Sequence, residues 1–235
     1  MESQSHLATT RFLRGIVIEV LHNNEFIFLF NKISDNIDNI NKVLLNCWTK
    51  NFNGVSIFPN EYFSSKDIIK NLIDRKKNNI AIILPQEYWW QAYEDRLSVW
   101  RDAYIESGFI VNRNLICRPI RKKKYASQAE IGYLSFKKLI KNKIKFDTIF
   151  ATNDFLAMGC YQTVNELNIN IPKDISIVGY DNSEIAANLK PGLTSVHLPI
   201  PEMTKKAIHH IFDDKNYDEN FKVYVACEVV ERNSI

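Results

Sequence analysis

Glycine is scarce in this sequence, at 7 residues in 235. That is about 3%, against an average near 7%. So low a content excludes a fibrous chain and a small barrel built from tight turns. It also leaves no glycine-rich phosphate cradle: neither G-x-x-x-x-G-K-[ST] nor G-x-G-x-x-G occurs, and G-x-S-x-G is missing as well. The four cysteines, Cys47, Cys117, Cys160 and Cys227, are far apart and form no CxxC pair. This excludes a zinc ribbon or thioredoxin-like site and fits a reducing cytoplasm. No apolar stretch approaches the roughly 20 residues needed to span a bilayer. The N-terminal MESQSHLATTRFLRG has neither the apolar core nor the small-residue cleavage pattern of a signal peptide. A net charge of +3 is less than a nucleic-acid-binding domain usually carries. These absences together point to a cytoplasmic chain with no membrane partner.

The rest is ordinary globular composition, 46% hydrophobic and 24% charged, which argues against disorder. Short apolar runs alternate with helical patterns. Residues 11–22 have helical spacing through Phe12, Ile16, Glu19 and Val20, and 35–50 through Ile37, Ile40, Leu44, Leu45 and Trp48. Strands are predicted at 25–31, 55–59, 79–84, 115–120, 148–151, 175–179, 194–198 and 223–230. Helices are predicted at 65–77, 92–107, 127–141, 154–168 and 201–213. Tyr93, Leu97, Trp100 and Tyr104 form the stripe of the helix at 92–107. Strand runs alternating with helices predict an α/β fold with parallel sheets covered on both faces.

In open α/β sheets, ligands bind outside the carboxyl ends of the strands. The predicted strands end at Asn31, Asn60, Gln86, Asn153-Asp154 and Asp181-Asn182. Amides and carboxylates both accept hydrogen bonds and amides also donate, which suits a neutral polyol or sugar. Trp89, with Tyr88 and Trp90, offers flat faces on which a sugar ring can stack. The same Asn and Asp residues can equally serve as helix N-caps and turn formers.

The basic run Arg121–Lys124 lies in a stretch where Glu130 is the only acid between Arg113 and Lys145. It reads as a solvated face in a Lys-rich chain. His209 and His210 point about 100° apart on a helix and cannot easily share a metal. No carboxylate pair has spacing that argues for acid–base catalysis. The residues predict no enzyme, no metal and no cofactor.

Residues 146–213 resemble the C-terminal half of the LacI/GalR effector-binding domain. The motifs that carry the resemblance come in order: ATND-x-x-AMG, INIPKDISIVGYD, LKPGLTSVHLP, then a helix. Asp95-Arg96 with Trp100 and Ala103-Tyr104 is similar to that family's R-x-x-G-F…A-[YLM] helix start, and residues 229–234 to its closing strand. The resemblance implies a type I periplasmic-binding-protein-like fold of two parallel-sheet α/β subdomains clasping a sugar- or nucleoside-like effector. It implies a transcriptional regulator that forms a homodimer. It places Arg96, Asn153 and Asp181 as effector contacts, with Asp154 as the helix N-cap. Tyr125 is the nearest candidate for an aromatic that lies over the effector. With Gln86 and Trp89, these make up the candidate site.

Val99 replaces the glycine of R-x-x-G, and the family's A-x-x-A-G-V-S helix-turn-helix pattern is not found in these residues. DNA would therefore be engaged only through a head domain outside this chain. The passage from Pro59 to Asn79 is short for a strand-helix-strand unit, so the N-terminal subdomain is expected to be incomplete. The expected division is 1–84 for that subdomain, 85–200 for the effector-binding subdomain, and 201–235 for a crossover helix and terminal strand. A sugar-binding protein of a transport system is the alternative with the same fold.

Overall fold

The computed structural model describes residues 15–19, 41–46, 52, 54–86, 91–119, 124–125, 127–212 and 221–235. They form two compact units, one within 1–60 and 199–226, the other within 61–198 and 227–235.

In the first unit, β1 (Gly15–Glu19), β2 (Asn41–Leu45), β3 (Val55–Pro59) and β9 (Phe221–Val225) form an all-parallel sheet in the order β1-β2-β3-β9. Val43, Leu45, Val55, Ile57 and Val225 make its core, together with Met203 and Ala207 from α6 (Ile200–Phe212).

The second unit holds a six-stranded sheet in the order β10-β8-β7-β6-β4-β5. Its strands are β4 (Ile80–Ile83), β5 (Ile116–Cys117), β6 (Thr148–Ala151), β7 (Ser176–Asp181), β8 (Thr194–His197) and β10 (Glu228–Val230). All pairings are parallel except β10 with β8. The helices of this unit are α1 (Glu61–Asp74), α2 (Gln91–Glu106), α3 (Gln128–Lys141), α4 (Asp154–Leu167) and the short α5 (Glu184–Asn188). Every residue of β4 and β6 is buried. That is what continuous apolar runs such as IAII and TIFA need, and what a parallel sheet covered on both faces provides. Cys117 and Cys160 are buried thiols; Cys47 lies outside the described residues.

The structure corrects several expectations. The helical spacing at 11–22 and 35–50 is overruled where the chain is described, since both spans contain strands, β1 and β2. Ile16, Val17 and Ile18 are β-branched and favour a pleated strand over a helix. The strand predicted at 25–31 lies outside the described residues. The expected terminal strand at 223–230 is two strands in two different sheets, β9 pairing with β3 and β10 with β8. No Gly or Pro interrupts FKVYVACEVV, so only tertiary pairing reveals the break at 226–227.

The boundary expected near residue 84 falls instead at 60–61, because β4 pairs with β6 and not with β3. The passage from Pro59 to Asn79 looked short because α1 carries the chain from one sheet to the other. Likewise α6 and β9, expected as a separate C-terminal segment, belong to the first unit.

Two glycines explain how α3 and α4 pack. A Cβ at Gly132 would lie 2.0 Å from the Leu156 carbonyl oxygen, and one at Gly159 would lie 1.9 Å from that of Ala129. The helices touch backbone to backbone, so these glycines serve helix packing rather than a ligand.

Candidate functional site

The carboxyl ends of β4, β6 and β7, three adjacent strands of the second unit, carry Gln86, Asn153 and Asp181. Helix α2 brings Arg96 to the same end. Its inner stripe runs Tyr93, Arg96, Trp100 and Tyr104, at the three- and four-residue steps that keep side chains on one helical face. The lower half of that stripe anchors the helix to β4. Trp100 Nε1 donates to the Ile80 carbonyl at 3.1 Å, and the Tyr104 hydroxyl accepts from the Ile80 amide at 2.6 Å. Arg96 is thus held in register with the sheet from two turns below.

Arg96 is 4% exposed and Glu61, the first residue of α1, is 8% exposed. Arg96 Nε donates to Glu61 Oε2 at 2.6 Å and Nη2 to Oε1 at 3.0 Å, a bidentate pair. Nη1 donates to the Thr152 carbonyl at 2.5 Å. The guanidinium lies 3.5 Å from the Tyr180 ring centroid and 5.2 Å from that of Tyr93. Burial works against the Arg96 charge, but Glu61, Tyr180 and Asp181 more than offset it and push the pKa up. Burial pushes the Glu61 carboxyl up while Arg96 pulls it down.

Asn153 is the N-cap of α4, its side-chain oxygen accepting from the Leu156 amide at 2.9 Å. Its amide nitrogen donates to the Tyr93 hydroxyl at 3.4 Å and to Gln128 Oε1. The cap expected at Asp154 is therefore Asn153, one residue earlier. Asp154 is fully buried and has another task. Its carboxylate accepts from the Ser183 amide at 2.7 Å, the Ser183 hydroxyl at 3.0 Å and the Ser195 hydroxyl at 2.7 Å. It ties α4 to the loop after β7 and to β8. A Cβ at Gly179 would lie 2.3 Å from Asp154 Oδ1, so that glycine makes room for this carboxylate.

Asp181 is held differently. It ends β7 with φ at 103°, and Asn182 follows at 51°. The first value is costly for any residue with a Cβ, a strain found where surrounding structure over-determines the backbone. The Asp181 carbonyl accepts from the Leu198 amide at 3.2 Å, and the Asn182 amide donates to the Ser195 hydroxyl at 3.0 Å. Among the described residues the Asp181 carboxylate accepts no hydrogen bond. Its pKa is pushed up to about 7, first by burial and then by Asp154 and Glu61, with Arg96 pulling the other way.

Of the other candidates, Gln86 is half-buried in the turn after β4, and Tyr125 is half-buried against the hydrophobic core just before α3. Trp89 lies outside the described residues. The structure thus gathers Arg96, Asn153 and Asp181 around Tyr93 and Tyr180. Sequence reasoning missed Glu61 and Gln128. A Glu at a helix start normally reads as a complement to the dipole, and nothing in the local sequence marks it as the partner of an arginine 35 residues away. Among the described residues, no group of three His, Cys, Asp or Glu could hold a metal ion, and no helix is long and apolar enough to cross a membrane.

Comparison with known proteins bears on this arrangement. The ribose operon repressor of Haemophilus influenzae is 28% identical over 184 residues, covering 78% of this chain and 53% of that protein. The HTH-type transcriptional repressor PurR of Vibrio cholerae is 29% identical over 170 residues, covering 71% of this chain and 48% of that protein. The chain thus spans about half the length of the curated relatives it matches. Among solved structures, the LacI family transcriptional regulator CCPA from Weissella paramesenteroides, with bound sucrose, superposes with a TM-score of 0.76 at 20% identity. The match covers 93% of this chain and 77% of that one. Residues 69–235 match the periplasmic binding protein-like domain family. The chain belongs to that family.

Proposed function

We propose that the chain is the small-molecule-sensing part of a LacI-type transcriptional regulator. A neutral, hydroxyl-bearing effector, a sugar before a nucleoside, would be taken up at the strand ends of the larger unit. The observation that carries this reading is the Asp181 carboxylate. It is the one acid of the Glu61, Asp154 and Asp181 set without a hydrogen bond among the described residues, and a strained backbone holds it at the end of β7. An acceptor left in this way suits a ligand hydroxyl as its donor. Tyr93, Asn153 and Gln128 form a bonded polar row beside it, and Gln86, Tyr125 and Trp89 are the remaining proposed contacts.

The effector would bias a two-state equilibrium, read out by a DNA-binding head domain as two copies act on an operator in the cytoplasm. No catalytic step is proposed. The test is a thermal-unfolding screen of the chain against neutral hexoses, pentoses, disaccharides and nucleosides. At one hundred times its Kd, a ligand stabilises the native state by about 2.7 kcal/mol, so at least one compound should raise Tm by several degrees. A flat screen at millimolar concentrations would overturn the reading.

A further inference from the structure

The Glu61–Arg96 pair bears on which effectors the site can accept, and the inference rests on the effector reading above. A guanidinium in a binding wall is the natural receptor for an anion, because its planar fork matches the two oxygens of a carboxylate or phosphate. Here the Nε–Nη2 edge of the fork is already filled. Nε and Nη2 are taken by Glu61, Nη1 donates to the Thr152 carbonyl, and the Tyr180 ring covers one face at 3.5 Å. Three of the five N–H groups are engaged by the protein itself.

An incoming carboxylate could take that edge only by expelling Glu61, leaving a buried carboxylate without its cation. That is the costly way to break a buried pair. The other charges described nearby give an anion no compensation. Asp154 and Asp181 add two acids. Arg232, the next cation, has Nη1 on the Leu193 carbonyl and Nη2 on Asn182 Oδ1, both at 2.7 Å. Two cations thus stand against three carboxyl groups.

We propose that Glu61 is a specificity-determining residue that, by filling the Arg96 fork from within the chain, commits the site to neutral polyhydroxylated ligands and excludes their carboxylate or phosphate counterparts. Replacing it by the isosteric amide leaves a buried arginine with one acceptor fewer and an unbalanced charge. Glu61→Gln therefore turns the same wall into an anion receptor without altering its shape.

The experiment is calorimetric titration of the wild-type chain and Glu61→Gln with matched pairs: glucose and glucuronate, galactose and galacturonate, ribose and ribonate. In the wild type, the neutral member of a pair is expected to bind at least tenfold more tightly than its acid. In Glu61→Gln that preference is expected to shrink at least tenfold or reverse. A wild-type protein that binds the acid as well as the neutral sugar overturns the proposal. So does a preference left unchanged by Glu61→Gln, and in both cases the effector reading still stands. If neither member of any pair binds either protein, with both shown folded by circular dichroism, this proposal fails, while the effector reading stands or falls on the thermal-unfolding screen. Glu61→Asp guards against a folding defect in the amide variant. It keeps the charge and is expected to keep the rejection of acids, and a loss of rejection there would count against the proposal.

Discussion

Two carboxyl groups stand near the Arg96 guanidinium, and the protein treats them in opposite ways. At the start of α1, Glu61 is buried against the fork of the arginine, with both oxygens bonded. At the end of β7, Asp181 has no hydrogen bond among the described residues, a positive φ, and a pKa pushed up to about 7. A carboxyl group withdrawn from water has these two options, a paired cation or a retained proton. Only the second leaves an acceptor for a ligand. The contrast separates the residue that builds the wall from the residue that the wall presents.

Substitutions can break this contrast from either side. The largest effect is expected at Arg96. Arg96→Ala leaves Glu61 buried and unpaired and should destabilise the chain by about 3–5 kcal/mol, seen as a lower midpoint in urea unfolding. The double replacement of Glu61 and Arg96 by Leu and Met should recover most of that loss, since apolar side chains can replace a buried pair without a large penalty. A smaller loss of about 3 kcal/mol is expected for Asp154→Ala, which strands the Ser183 and Ser195 donors. Gly179→Ala should cost about 2 kcal/mol by pressing a methyl group against Asp154 Oδ1. Part of that cost should disappear in an Asp154→Ala background, where only the 2.7 Å approach to Leu193 Cδ2 remains, so a double-mutant cycle exposes the coupling.

The smallest effect is a pH slope. Native Asp181 keeps its proton up to about pH 7, whereas the unfolded carboxyl loses it near 3.8. The native state therefore holds the extra proton across that window. The stability this contributes is full below about pH 4 and is lost as the pH rises through 7. Asp181→Asn removes the slope. It should match the wild type at pH 4 and exceed it at pH 8 by on the order of 2 kcal/mol, about half of what the full shift would give because the carboxyl is only half-buried and partly screened by water, as read from thermal unfolding at the two pH values.

Much of the larger unit was legible in the sequence, because its strands are continuous apolar runs and its motifs follow one another in order. IAII, TIFA and SIVGYD lie in strands as expected, and the pairing sets those strands side by side. The smaller unit was harder to read for a physical reason. Residues 15–19 and 41–45 carry apolar spacing compatible with either a helix or a strand, and only pairing with neighbours decides between them. The split between β9 and β10 was hidden for the same reason, since no turn residue marks it.

At the site, Arg96, Asn153 and Asp181 come together at one end of the sheet, but their side chains are engaged to very different degrees. The partner of Arg96 was not readable, because an ion pair across 35 residues leaves no local signature. The glycines at 132, 159 and 179 make close approaches within the protein. At 179 the approach is to Asp154, and at 132 and 159 to a neighbouring helix.

The central claim is that Asp181 is the acceptor presented to the effector while Arg96 is held back by Glu61. Calorimetric titration of Asp181→Asn with the sugar that most raises wild-type Tm tests it most directly. The account predicts a folded protein at pH 8, at least as stable as the wild type, whose affinity for that sugar falls by about 100-fold or more, the roughly 2.7 kcal/mol of a charge-assisted hydrogen bond. An Asp181→Asn protein that binds the sugar as tightly as the wild type would contradict it.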